Sequence, residues 1–236
     1  MVFWGNKFFS FFIGIVLSSL LIACDGVDKI NSKRSSVLDS ALIKAIVERH
    51  KLKAGSVVLD LGCGTGYYNH PFKKYGMWVC GVENNKVKII EAKKTYGDLN
   101  LVICDGEQLP FKKNSFDVMF CSGFSPFNVE DFSKTLVLGE HLMNRLSAGG
   151  LLMFVWVTNL SDTRSKSEWM NHSVERVSEY LDSLKRGAIV DVCTTYPKLL
   201  ILFGSIAFNK VFTRISSWTS KTFGLRCLLV CTLRKS

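Results

Sequence analysis

Short apolar segments alternate with polar, amphipathic segments from about residue 57 to the C-terminus. Short apolar runs bounded by turn residues are typical of buried strands, whereas apolar residues at every third or fourth position predict helices. Strands that alternate with helices indicate an α/β fold with a doubly wound, Rossmann-like and mostly parallel sheet. The predicted strands are Val58–Leu61, Trp78–Val82, Leu99–Cys104, Ser115–Cys121, a turn and strand within Leu146–Phe154, Ala188–Thr195 and Leu225–Arg234.

Three of the polar segments between these strands carry helical patterns. Residues 85–96 are polar with apolar residues inserted, and they stop at Gly97, a residue typical of a helix C-terminus. Residues 133–146 have leucine at every fourth position from Leu138, and residues 173–186 have apolar residues along one face. Such stripes normally face a core, so these segments are predicted to be structural helices.

An apolar segment precedes this domain. Residues 8–24 carry no charge and are rich in Phe, Ile, Val and Leu, and a polar segment, 25–36, follows them. A run of about 17 apolar residues is at the lower limit for a membrane-spanning helix and somewhat long for a secretory signal. We expect residues 1–24 to be a signal or anchor segment, 25–36 a linker and 37–236 the domain, with a buried core helix as the alternative for the apolar segment.

Two signals disagree about the side of the membrane on which the domain lies. Residues 21–24, Leu-Ile-Ala-Cys, resemble a bacterial lipobox, which would make the chain an exported lipoprotein lipidated at Cys24. Lys29, Lys33 and Arg34 follow the apolar segment, whereas only Lys7 precedes it, and basic residues prefer the cytoplasmic side. We expect a membrane-associated protein with a cytosolic domain, and an exported lipoprotein is the alternative.

The formal net charge of +10 is concentrated toward the C-terminus, where no acidic residue follows Asp191. The long connection between the last two predicted strands, residues 196–224 and called the insert below, is basic and amphipathic, with Lys210 and Arg214 among apolar residues. It is predicted to bind an anionic membrane surface, or else to pack its apolar face on the domain. No nucleic-acid-binding module is recognisable, so no nucleic acid partner is expected.

Cysteine usage predicts a reducing compartment and no metal. The eight cysteines are scattered along the chain, and none forms a pair or a cluster with metal-ligand spacing. Buried free cysteines behave as small apolar residues.

Three glycines at alternate positions follow the first predicted strand, in the run Val58–Gly66. Glycine permits a tight turn and a close approach of the backbone to a ligand, and the helix that follows directs free N–H groups toward an anionic group. A dinucleotide fingerprint needs a third glycine where Tyr67 stands, which argues against an NAD-dependent oxidoreductase, and the Gly-Lys-Ser/Thr of a P-loop is absent. The loop therefore predicts a site for a small, nucleoside-like ligand.

The pattern G-x-G-x-G after Asp60 resembles motif I of the class I S-adenosylmethionine-dependent methyltransferases, of the small-molecule type. Glu83 ends the second predicted strand and Asp105 follows the third, so residues 55–158 resemble the family's motifs in their usual order. The resemblance implies S-adenosylmethionine as cofactor and a seventh strand that is antiparallel at or near the sheet edge. The glycines would hold the methionine end, Glu83 the ribose and Asp105 the adenine. The predicted cofactor-binding residues are Asp60, Gly62, Cys63, Gly64, Gly66, Glu83, Asp105 and Gly106.

The acceptor is less specified than the cofactor. The segment after the fourth strand, Cys121–Phe127, lacks the signatures of base-amino and cytosine methyltransferases, which leaves a small-molecule or lipid-like acceptor. Phe124, Phe127 and Trp156 are candidate pocket walls, with core packing as the alternative, and His70 is the candidate general base. The alternative function is a non-catalytic, membrane-anchored relative that binds a nucleoside ligand or a partner.

Overall fold

Seven strands form one sheet at the centre of the computed structural model, which describes residues 36–165, 169–185 and 187–236. The predicted anchor, residues 1–24, and the linker up to residue 35 lie outside the described residues. The strands are β1 Val57–Leu61, β2 Trp78–Glu83, β3 Asn100–Ile103, β4 Phe116–Ser122, β5 Leu146–Thr158, β6 Gly187–Thr195 and β7 Cys227–Lys235.

The order of the strands is β3-β2-β1-β4-β5-β7-β6. Strands β1 to β5 pair in parallel with their neighbours, whereas β7 is antiparallel to both β5 and β6. Strand β6 therefore runs parallel to β5, and its C-terminal end lies at the same edge of the sheet as the ends of β1 to β5. The predicted doubly wound, mostly parallel sheet with an antiparallel strand next to its edge is confirmed.

Helices connect these strands. Two of them begin after a residue whose side chain caps the helix N-terminus. The Asn85 side chain accepts a hydrogen bond from the Val87 N–H (2.9 Å), and the Ser173 hydroxyl accepts one from the Arg176 N–H (3.1 Å). The predicted helices are present with slightly shorter bounds. The helices are α1 Ser36–His50, α2 Asn69–Lys74, α3 Lys86–Tyr96, α4 Leu136–Arg145, α5 Val174–Ser183, α6 Pro197–Phe203 and α7 Lys210–Phe223, with 3₁₀ turns at Ser125–Phe127, Phe132–Thr135 and Gly204–Phe208.

The core lies on both faces of the central strands. Val58 and Leu59, consecutive in β1 and so on opposite faces of the sheet, are both fully buried, as expected for apolar runs in a parallel sheet covered on both sides. The Asp117 carboxylate accepts the Val57 N–H at 2.9 Å and so attaches the start of β1 to β4. Within the described residues, no helix has both the length and the apolar character needed to cross a membrane.

Candidate functional site

The glycine loop follows β1 and is fixed by its backbone. Gly62, Gly64 and Gly66 have φ of 72°, 55° and 79°, in the left-handed region that residues with a Cβ rarely adopt. The N–H groups of Gly62 and Cys63 both donate to the Val82 carbonyl at 2.9 Å, which holds the loop against the end of β2. The predicted requirement for glycine is thus conformational at all three positions.

The three glycines differ in what surrounds them. A Cβ on Gly66 would lie 2.7 Å from the Leu99 side chain, and one on Gly62 would lie 2.8 Å from the Phe124 ring. A Cβ on Gly64 would meet nothing within 4 Å. Gly62 and Gly66 therefore let neighbouring side chains close on the loop, whereas Gly64 exposes its backbone to an open space that a ligand can enter.

Glu83 connects the glycine loop to the end of β2. Its carboxylate is buried, with 7% of the residue exposed, and it accepts the N–H groups of Gly64 (3.0 Å) and Asn85 (2.9 Å), one on each oxygen. The ammonium group of Lys88 lies 3.8 Å away. A carboxylate oxygen can accept two hydrogen bonds, so each keeps capacity for one hydroxyl of a ribose diol. The ribose-binding role stays a prediction, and the structure adds that Glu83 positions the loop.

Asp105 and Gly106 lie beyond the end of β3. The Asp105 carboxylate is exposed and accepts the Glu107 N–H at 2.9 Å, which fixes the turn. Gly106 is buried, and a Cβ there would lie 2.6 Å from the Phe124 ring. Because the same ring touches Gly62, Phe124 bridges the loops after β1 and β3. The structure therefore places Phe124, a predicted acceptor wall, against the predicted cofactor-binding residues.

Asp60 and Cys63 form the buried base of the loop. Asp60 lies in β1 and is 1% exposed, and Cys63 is 4% exposed. Burial raises the pKa of the Cys63 thiol far above its usual range, and the carboxylates of Asp60 and Glu83 add to the increase. Cys63 is thus a neutral thiol at physiological pH, a packing residue rather than a nucleophile.

His70, the candidate base, stacks on Tyr96 of α3 with ring centroids 5.0 Å apart. Partial burial lowers its pKa, and the nearby charges of Lys74 and Lys73 lower it further. Its role in catalysis stays a prediction.

Two polar side chains at the end of β4 were not predicted. The Ser122 hydroxyl donates to the Tyr68 hydroxyl at 3.3 Å, and Tyr68 is 8% exposed. The available signal was the position of Ser122, directly after a predicted strand, because ligands bind at the carboxyl ends of parallel strands.

The other two predicted pocket walls belong to an aromatic cluster. Phe127 and Trp156 are 1% and 6% exposed, and the Trp156 indole N–H donates to the Phe127 carbonyl at 3.3 Å. The core-packing alternative therefore holds for these two residues, because their rings are enclosed by others. The surrounding rings are Phe132, Phe154, His172 and Tyr180.

A cleft of about 810 Å³ lies beside the aromatic cluster. It is lined by residues 128–134, Arg164, Arg176, Glu179 and Tyr180, among others, so charges of both signs face it. In the described part of the chain, no group of three or more His, Cys, Asp or Glu side chains is placed to hold a metal ion.

Known proteins resemble this chain over the site and over the fold. A family model described as "Methyltransferase domain" matches residues 59–154. The demethylmenaquinone methyltransferase of Paenarthrobacter aurescens is 30% identical over 110 residues, which cover 47% of this chain and 42% of that protein. The tRNA (carboxymethyluridine(34)-5-O)-methyltransferase alkbh8 of Xenopus tropicalis is 26% identical over 122 residues, 52% of this chain and 19% of that protein. The match thus spans less than half the length of each of these relatives.

Solved structures resemble nearly the whole described fold. The [4+2]-cyclase SpnF matches with a TM-score of 0.60 and 18% identity, over 83% of this chain and 81% of the cyclase. The phosphoethanolamine N-methyltransferase 2 of Haemonchus contortus, in complex with S-adenosyl-L-methionine, matches with a TM-score of 0.58 and 19% identity, over 84% of this chain and 52% of that enzyme. With the glycine loop and the strand-end acids in place, residues 59–154 match a methyltransferase domain, and the predicted resemblance to the class I S-adenosylmethionine-dependent methyltransferases is confirmed.

Proposed function

We propose that this chain transfers a methyl group from S-adenosylmethionine to a small-molecule or lipid-like acceptor. The observation that carries the proposal is the glycine loop, whose open face at Gly64 lies beside the buried Glu83 carboxylate. S-adenosylmethionine supplies a methyl group on a positively charged sulfur, which a nucleophile attacks in line. The residues present fit this cofactor, because Gly64 leaves room for its methionine end, Glu83 retains acceptor capacity for the ribose, and the Asp105 carboxylate is exposed for the adenine amino group.

The chain's own contribution is to align the reactants and exclude water. Methyl transfer needs mainly alignment and desolvation, so a rigid loop and an apolar cover are the important features. The loop is fixed by the Val82 carbonyl and by Glu83, and the half-buried Phe124 ring covers it from the side of β4. The hydroxyls of Tyr68 and Ser122, at the end of β4, are polar groups that can orient an acceptor there.

The acceptor class is supported by the names of the similar proteins. One relative is named for demethylmenaquinone and one solved neighbour for phosphoethanolamine, and both are small molecules. Another relative is named for tRNA, so tRNA belongs in the acceptor test. One solved neighbour is named as a [4+2]-cyclase, a different reaction, so methyl transfer itself has to be tested beside the non-catalytic alternative.

Calorimetric titration of the full chain tests cofactor binding. We expect S-adenosylmethionine to bind and NAD not to bind, and we expect Glu83→Ala and Asp105→Ala to weaken S-adenosylmethionine binding at least tenfold, about 1.4 kcal/mol or more. Unchanged binding in both variants would show that the site is assigned to the wrong residues.

Labelling with S-adenosylmethionine that carries a radioactive methyl group tests the transfer. The acceptors offered are a small-metabolite extract, a lipid extract and total tRNA, each with the Glu83→Ala protein as the blank. Label in either of the first two fractions supports the proposal, whereas label in tRNA alone contradicts the acceptor class. Cofactor binding without label in any fraction supports the non-catalytic alternative.

We further infer that residues 1–24 attach the domain to a membrane, with the domain in the cytosol. The uncharged residues 8–24 and the basic residues Lys29, Lys33 and Arg34 after them support this orientation. A C-terminal reporter that is active in one compartment only tests it. We expect cytosolic activity that Cys24→Ser leaves unchanged, whereas external activity and a loss of lipid labelling in Cys24→Ser would establish the exported lipoprotein instead.

A further inference from the structure

The insert begins and ends at the same edge of the sheet as the glycine loop. Strand β6 runs parallel to β5 and β7 runs antiparallel, so the connection from Thr195 to Cys227 leaves and returns at the carboxyl edge. It forms α6, the 3₁₀ turn Gly204–Phe208 and α7. The strand from which the insert leaves, β6, is three strand spacings from β4, or about 14 Å at about 4.8 Å per spacing.

Helix α7 faces the domain with the Phe212 ring and with three hydroxyl-bearing residues. Ser216, Thr219 and Ser220 are at most 1% exposed. The hydroxyl oxygen of Thr219 lies 2.7 Å from that of Tyr196, and the Ser220 hydroxyl donates to the Leu225 carbonyl at 2.8 Å. An ordinary surface helix buries its apolar side, so this arrangement leaves apolar side chains of α7 directed to the solvent.

The outer side of α7 combines apolar and basic residues. Val211, Arg214, Trp218 and Lys221 are all exposed, and their spacing of three or four residues places them on one helix face. Trp218 is 55% exposed and Val211 is 59% exposed. Single exposed apolar side chains are common, and Trp78 and Val87 are others on this chain, so the significance of these residues depends on how many lie together.

Helix α6 and the 3₁₀ turn carry further exposed apolar side chains. Leu202 is 66% exposed, and the Phe203 ring lies against Phe212 with centroids 5.0 Å apart, which joins α6 to α7. Seven of the exposed large apolar side chains of the described chain thus lie within residues 197–223. We call them the docking face: Ile201, Leu202, Phe203, Ile206, Val211, Trp218 and Phe223.

The charge around the docking face is positive. Residues 197–223 contain Lys198, Lys210, Arg214 and Lys221 and no acidic residue. Two acids lie near this face: Glu175 on α5 accepts a hydrogen bond from Lys221 at 3.0 Å, and Glu48 on α1, which lies beside Gly204, is 3.9 Å from the ammonium group of Lys44. Two copies of such a face would repel each other, and a nucleic acid would leave the leucine and isoleucine side chains in water. An anionic lipid surface suits both the apolar and the basic residues.

We propose that the docking face binds the surface of an anionic phospholipid bilayer. This proposal goes beyond methyl transfer and does not depend on it. It brings the carboxyl edge of the sheet, which carries the glycine loop, to the membrane, where an apolar acceptor is concentrated.

Fluorescence quenching of Trp218 in the full chain tests the proposal. The protein is reconstituted in vesicles of brominated phosphatidylcholine, with or without phosphatidylglycerol, and the Trp218 signal is the difference between wild type and Trp218→Phe. We expect quenching that increases with the phosphatidylglycerol content. The double variant Lys210→Gln, Arg214→Gln should weaken docking by about fivefold per charge lost. Its control, Lys93→Gln, Lys94→Gln, removes the same charge from exposed positions of α3 and should leave the quenching unchanged.

Three results would overturn the proposal. Trp218 emission could be insensitive to the brominated lipid, or it could be quenched equally without phosphatidylglycerol and in both double variants, which would assign the contact to residues 1–24 alone. Shielding of Trp218 from acrylamide before vesicles are added would show that a second copy or the N-terminal segment covers the face. Titration of S-adenosylmethionine on the same samples separates this failure from a failure of the proposed function.

Discussion

Alanine at Gly66 and at Gly64 should have different effects, although both glycines belong to the same loop. Both have positive φ, so either substitution strains the backbone by about 1 to 2 kcal/mol. At Gly66 the new methyl group would also lie 2.7 Å from the buried Leu99 side chain and 3.4 Å from the Ala92 Cβ, and such overpacking costs about 1 to 3 kcal/mol more. At Gly64 nothing lies within 4 Å, so the strain stands alone.

Urea unfolding and calorimetry, both on the full chain in mild detergent, separate the two effects. We expect Gly66→Ala to lose about 2 to 5 kcal/mol of unfolding free energy and Gly64→Ala about 1 to 2 kcal/mol. Gly64→Ala should still lose most of its affinity for S-adenosylmethionine, because the methyl group enters the ligand's space. Gly149→Ala is the control, since Gly149 has φ 73° and no neighbour within 4 Å but lies outside the loop. Equal stability losses at the two loop positions, or normal affinity in Gly64→Ala, would refute the reasoning.

Three further predictions concern the site and its surroundings. Gly106→Ala brings a methyl group against the Phe124 ring and should lower stability by about 1 to 3 kcal/mol in urea unfolding, and adding Phe124→Leu should restore most of that loss. Glu83→Gln replaces one of the two accepting carboxylate oxygens by an NH2 group that faces a backbone N–H. We expect the free energy of unfolding to decrease by about 1 to 3 kcal/mol, and calorimetry to show weaker cofactor binding. Burial lowers the pKa of His172 from 6.5 to about 4, so the imidazole is neutral in the folded state. The free energy of unfolding should therefore be unaffected by this group above about pH 6.5 and should decrease as the pH falls from 6.5 toward 4, because the unfolded state binds the proton first. His172→Phe should reduce the difference in unfolding free energy between about pH 7 and about pH 4.5.

The strands and the glycine loop could be predicted because their causes are local. A buried parallel strand needs an apolar run, and a left-handed backbone needs glycine, so both appear as residue types at fixed positions. The strand-end position of Glu83 was predictable for the same reason. Its bonds to the Gly64 and Asn85 N–H groups were not, because they depend on how far β1 and β2 extend beside each other.

The acceptor side could not be predicted to the same depth. Phe124, Phe127 and Trp156 have the same chemical character in sequence, yet the first covers the cofactor loops and the other two lie in the aromatic cluster. What separates them is the enclosure of the two rings by residues distant in sequence, such as Tyr180 on α5. The Tyr68–Ser122 pair was missed for a similar reason, since a hydroxyl contact between α2's N-terminal flank and β4 has no local pattern.

The insert shows that a helical pattern alone does not determine which side of a helix is buried. The sequence predicted a basic, amphipathic insert that binds an anionic membrane surface or packs its apolar face on the domain. Phe208 and Phe212 are buried, but Val211 is exposed. Hydroxyls of β6 and its flank, such as that of Thr194, form hydrogen bonds with hydroxyls and carbonyls of α7, and these bonds determine which side of the helix faces the domain. A hydropathy pattern predicts that serine and threonine are exposed, and it contains no information about their hydrogen-bond partners.

The antiparallel strand β7 gives the fold a further consequence. If β7 were parallel to β5, the connection from β6 would have to cross to the opposite edge of the sheet before β7 began. Because β7 is antiparallel, the insert begins and ends at the carboxyl edge, the edge that carries the glycine loop. The cofactor loop is fixed at β1 by contacts with β2 and needs no part of the insert. The residues that we propose for cofactor binding and for membrane docking are therefore separate, so a variant that removes one should leave the other intact.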